Sequence, residues 1–91
     1  MSTRENPQIT RRRRRAAWSY ARWLLMNTEL PAHVVWRKTA ERHGVSRRAA
    51  RQMIRDDLGP HWLRERADLI ADGKAQAVQE LPRYEQGELP L

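Results

Sequence analysis

Residues 39–54, TAERHGVSRRAARQMI, restrict this chain more than any other stretch, because they stop one helix and start another within three residues. A run of good helix formers ends at Arg42 and His43 and meets Gly44, which takes positive φ at a C-terminal cap without steric cost. Val45 is apolar enough to plug the corner between the two helices. Ser46 offers its hydroxyl to an exposed backbone N–H, the usual start signal of a new helix.

Advancing from Arg47 at roughly 100° per residue separates the second helix into two sides. Ala49, Ala50, Met53 and Ile54 gather in one sector, and Arg47, Arg48, Arg51, Gln52 and Arg55 fill the other. Arg47, Arg51 and Arg55 follow one another at four-residue steps, so like charges stack along one stripe, at a cost of a few tenths of a kcal/mol per pair in an isolated helix. An anionic partner relieves that cost. Arg and Gln are also side chains that make bidentate contacts with purine edges in a major groove, while Ala49 and Ala50 permit close packing on the preceding helix.

This stretch resembles the helix-turn-helix of phage and bacterial transcription regulators. Ala40 precedes Gly44 by four, Val45 and Ser46 follow it, and Ala50 and Met53 stand where those regulators bury recognition-helix positions. The resemblance covers about twenty residues. Thr39 and His43 depart from it, standing where aliphatic residues are usual. What it implies is base reading by Arg47, Arg48, Arg51 and Gln52, with Ser46 capping the helix or touching a phosphate.

Charge agrees in sign. The chain of 91 residues carries a formal net charge of +7, and its basic side chains are Arg far more often than Lys. Arg favours planar contacts with phosphates and bases, although a GC-rich genome also raises its use. Residues 1–58 hold fourteen basic and five acidic side chains, whereas residues 59–91 hold four and six. The surface for an anionic polymer therefore belongs to the first two thirds.

Five consecutive arginines, Arg11, Arg12, Arg13, Arg14 and Arg15, precede an amphipathic run. The expectation is a flexible arm over residues 1–10, a cap at Thr10, and a helix to about Asn27 that buries Ala17, Trp18, Tyr20, Ala21, Leu24 and Leu25. Arg22 lies on its basic back and, with Arg55 and the five arginines, joins the expected phosphate-binding set. Cations at a helix N-terminus are unfavourable, so either the first turn frays or a polyanion offsets the repulsion. Trp23 falls outside the apolar sector and is expected to touch the C-terminal segment or another subunit rather than stack on a base.

Pro31 suits the first turn of the next helix, whose inward sector is Ala32, Val35, Trp36, Thr39, Ala40 and a satisfied His43. Asp56 and Asp57 close the arginine helix and are expected to pair with arginines or hold DNA off that end. Gly59 and Pro60 stop it and start another helix, to about Asp72, packing Trp62, Leu63, Ala67, Leu69 and Ile70. Arg66 falls among these apolar residues and must snorkel or find an acid, with Asp57 a candidate. A short helix over residues 74–81 and an acidic, proline-containing tail over residues 82–91 complete the chain.

The fold expected is all-α, a small bundle of four or five helices with the helix-turn-helix at its centre, in one domain over residues 11–81. There is no cysteine, and His33, His43 and His61 lack metal-site spacing. Neither a glycine-rich phosphate loop nor a nucleophile beside a base is visible, so no enzyme, cofactor or metal is expected. The apolar run after the arginines is interrupted by Arg22 and too short to span a bilayer, which favours a cytoplasmic, nucleoid-associated protein without a membrane partner. The expected partner is double-stranded DNA, bound by a homodimer acting in transcription regulation. Two alternatives stand beside it. One is structured RNA bound by residues 11–15, as in arginine-rich antitermination proteins. The other is docking on RNA polymerase or a defence complex.

Overall fold

A computed structural model of the chain describes residues 7–82. Among them are four α-helices, α1 (Pro7–Asn27), α2 (Ala32–His43), α3 (Arg47–Leu58) and α4 (Pro60–Ala71), followed by a 3-10 helix (Ala75–Glu80). The all-α bundle expected from the sequence is thus the observed fold. No described helix is long and apolar enough to cross a membrane.

α1 begins at Pro7, not after a cap at Thr10, so residues 7–9 belong to the helix instead of a flexible arm. Proline is well placed at a helix start, where its missing N–H would have had no intrahelical partner. Residues 1–6 and 83–91, which include most of the expected arm and tail, lie outside the described residues.

The core is built where α1, α2 and α3 meet, and α4 closes it. Ala21, Leu24 and Leu25 of α1 join Val35 and Trp36 of α2, Ala50, Ile54 and Leu58 of α3, Trp62 of α4 and Val78 of the 3-10 helix. Two small residues set the approach of neighbouring helices: Ala21 and Ala50 are both wholly buried. Each carries a side chain too short to hold the facing backbone away.

The turns follow their predicted chemistry. Gly44 caps α2 at φ 68°, ψ 27°, the left-handed region, and its N–H donates to the Ala40 carbonyl. The Ser46 hydroxyl accepts from the Ala49 N–H at 2.9 Å and so satisfies one of the open donors of α3. Gly59, at φ 91° and ψ 150°, lets α3 turn directly into α4, with Pro60 as its first residue. Pro31 serves as the N-cap of α2 instead of its first turn.

Other expectations from the helical pattern are corrected. Ala67 is exposed, whereas Leu58, assigned to neither sector of α3, is buried. The last helix is 3-10 and spans only Ala75–Glu80, with Val78 as its buried residue. Arg66 neither snorkels nor meets Asp57. It is 2% exposed and donates from Nε to the Leu25 carbonyl at 2.7 Å and from Nη2 to the Thr28 carbonyl at 2.9 Å.

That pair of bonds completes the C-terminus of α1. The Leu24 carbonyl accepts from the Thr28 N–H and hydroxyl, Leu25 from Arg66, and Met26 from the Gln79 amide at 3.2 Å. Carbonyls that a helix end leaves open are here met by side chains from α4 and the 3-10 helix. A guanidinium at this end also faces the negative pole of the helix dipole. Burial pushes the Arg66 guanidinium below its ordinary pKa, yet a guanidinium stays protonated at neutral pH.

Candidate nucleic-acid interface

α3 divides as its sequence requires. Ala50, Ile54 and Leu58 face the core, while Arg47, Arg48, Arg51 and Gln52 are exposed. All four expected base-reading side chains therefore occupy solvent-facing positions on one helix. Arg55 is half-buried, because the stripe runs toward Leu58, which turns into the core one helical turn later. Gln52 is already engaged: its Nε2 donates to Asp56 Oδ1 at 2.8 Å. A bidentate contact from Gln52 to a base requires that bond to open.

The arginine run of α1 stands next to the turn that starts α3. Arg11, Arg12, Arg14 and Arg15 are exposed and Arg13 is half-buried. Arg13 lies against the turn; a Cβ on Gly44 would sit 3.5 Å from its Nη1. Arg12, Arg13 and Ala16 of α1 form one wall of an open cleft, and Glu41, Arg42, His43 and Gly44 form the other. Residues some thirty positions apart in sequence thus contribute to one basic surface, which the sequence shows only as separate segments.

Arg22, expected among the phosphate-binding residues, is engaged within the fold. Its Nη1 donates to Asp57 Oδ2 at 2.8 Å, and the same oxygen accepts from the Trp18 indole N–H at 2.8 Å. The guanidinium also lies 5.6 Å from the Trp18 ring centroid. Both charged side chains are about a quarter exposed. Charge pairing and the cation–π contact fix Arg22 between α1 and the end of α3, so it is occupied in holding the fold. One of the expected roles for Asp57, pairing with an arginine, is the observed one.

Aromatic contacts brace the other end of the turn. The Tyr20 and His43 rings lie 5.1 Å apart with a 59° tilt, and the Arg42 guanidinium sits 5.2 Å from the Tyr20 ring centroid. His43 is half-buried as expected, but it is not satisfied: its Nε2 is buried without a hydrogen-bond partner among the described residues. Thr39 Oγ1 and Trp62 Nε1 share that condition. Trp23 is 58% exposed, the large apolar side chain most open to solvent among the described residues.

Among the described residues no group of three His, Asp or Glu side chains could hold a metal ion. Beside Glu41, His43 and Asp56, the surface carries exposed guanidiniums, one amide and a hydroxyl-capped helix start. Such groups bind anions and read hydrogen-bonding edges.

The chain matches no known protein family, characterised protein or solved structure.

Proposed function

We propose that this chain binds double-stranded DNA in a sequence-selective way, with α3 entering the major groove, as a small transcription regulator would. The observation that carries this reading is the division of α3: three guanidiniums and an amide point outward from a helix whose opposite side is buried and whose start is capped after a three-residue turn. A helix of that width fits a major groove, and Arg and Gln are matched to guanine and adenine edges. Arg47, Arg48 and Arg51 read bases, and Gln52 does so once its bond to Asp56 opens.

The exposed arginines of the α1 start grip phosphates beside the groove, and Arg55 supplies a further contact from the edge of α3. Phosphate contacts provide affinity and register, whereas base contacts provide discrimination. A single short helix reads only a few base pairs, so two copies on a palindromic site complete the reading.

The division of labour is testable by anisotropy titration with a selected site and with random duplex. Arg51→Ala is expected to lower affinity for the selected site tenfold or more, in keeping with roughly 1–3 kcal/mol per bidentate base contact, and to change random-duplex binding little. Replacing residues 11–15 by Gln is expected to weaken both duplexes alike. Equal losses on both duplexes for both variants would contradict the assignment, and a preference for structured RNA over any duplex would favour the arginine-rich segment as the primary site.

A further inference from the structure

An acidic side chain stands in the middle of the outward side of α3. At roughly 100° per residue, Gln52 and Asp56 straddle the line opposite Ala50, Ile54 and Leu58, which face the core. Asp56 is exposed, whereas Arg55 beside it is half-buried, so the carboxylate faces outward more squarely than the last arginine of the stripe. A duplex backbone repels an anion at that place, and only the base edges hold groups that donate to it. We propose, resting on the reading of α3 as a major-groove helix, that Asp56 is itself a base-reading residue and selects cytosine close to the adenine read by Gln52.

The argument is a balance of hydrogen bonds. In the free protein Gln52 Nε2 donates to Asp56 Oδ1 at 2.8 Å. When Gln52 turns to an adenine the pair opens, and the amide exchanges one bond for two, donating to N7 and accepting from the N6 amino group. The carboxylate is left without its donor. Its oxygens only accept, and in a groove that excludes water an unpartnered charge is costly.

A nearby base must therefore supply the donor. In the major groove the amino groups of cytosine and adenine donate, whereas guanine offers N7 and O6 and thymine offers O4, all acceptors. Adenine sets its N7 acceptor beside the amino group, against a carboxylate; cytosine carries no acceptor on that edge. Opening of the Gln52–Asp56 pair is thus offset best where an adenine and a cytosine lie together. The four-residue step advances about 6 Å along the helix, against about 3.4 Å per base step. That places the cytosine one or two steps from the adenine.

The test is selection from random duplex DNA with the full chain and with its Asp56→Asn and Asp56→Ala variants, both at an exposed position, followed by titration of the recovered site. The unaltered chain should recover a motif holding the adenine and the cytosine. Asp56→Asn should move the preference at the second position from cytosine to adenine, because an amide matches adenine N6 and N7. Asp56→Ala should remove that preference while the adenine read by Gln52 and the positions read by arginine persist. Exchange of the cytosine for thymine should weaken the unaltered chain about tenfold or more and Asp56→Ala no more than about twofold. Exchange for 5-methylcytosine, which keeps the amino group and adds only thymine's methyl, should leave the unaltered chain within about twofold. Loss of the adenine preference together with the cytosine preference in Asp56→Ala would reduce Asp56 to an orienting partner of Gln52, and unchanged preferences in both variants would place it outside the groove. Either outcome overturns the proposal while the reading of α3 stands; an unaltered chain that recovers no motif overturns both.

Discussion

Arg66 stands at a position where the helical pattern calls for an apolar side chain, and its partners explain why arginine is there. It serves two carbonyls at the end of α1, Leu25 and Thr28, from a residue some forty positions away. Arg66→Met should fill similar space but leave both carbonyls without that donor. We expect a loss of about 2–4 kcal/mol in urea unfolding, since buried groups stripped of a charged partner cost more than an ordinary hydrogen bond. Arg66→Lys should recover only part of this, because an ammonium lacks the planar fork. Thr39 poses the opposite case. Its hydroxyl is wholly buried and unpartnered among the described residues, so Thr39→Val, nearly isosteric, should raise stability by up to about 1 kcal/mol in the same assay. The sequence marked both residues as misfits on apolar faces. It could not name the partner of Arg66, because periodicity assigns a residue to a side of its own helix and says nothing of what lies opposite. The capture of Arg22 by Asp57 escaped for the same reason.

At the scale of the element, the most legible part of the chain was the join between α2 and α3. Gly44 and Ser46 act through their own backbone neighbourhood, so local chemistry was enough to place them. Ser46→Ala should cost about 1 kcal/mol, and Gly44→Ala a similar amount, because an L side chain is strained at φ 68°. Both are read from thermal unfolding, and a loss below a few tenths of a kcal/mol would show that the turn is held by tertiary packing instead. The start of α1 and the last helix were less legible. The arginine run suggested fraying near Thr10, yet the helix reaches back to Pro7. The closing segment reads in sequence only as a short helix over residues 74–81 and is wound as 3-10, the tighter form common in short terminal pieces.

Across the whole molecule, α1 connects the parts. Its start contributes arginines beside the turn, its middle supplies Ala21 and Leu25 to the core, and its end is capped by α4 and the 3-10 helix. The C-terminal third therefore fixes the orientation of a helix whose other end lies at the basic surface. The sequence showed the charge asymmetry that locates this surface but not the convergence of Arg12 and Arg13 with the turn, which exists only once α1 has packed. A salt series distinguishes the contributions: replacing residues 11–15 by Gln should flatten the slope of log affinity against log salt by about 0.9 for each phosphate that is no longer neutralised. Arg51→Ala should lower specific affinity with much less change in that slope.

Base reading by α3 is tested most directly by selection from a random duplex DNA pool at near-physiological salt, with the recovered fragments sequenced. The expected result is a short motif, repeated as a palindrome, that disappears when Arg47 and Arg51 are replaced by Ala. Retention of fragments without any common motif, or no retention at all, would contradict the assignment of α3 as a reading helix.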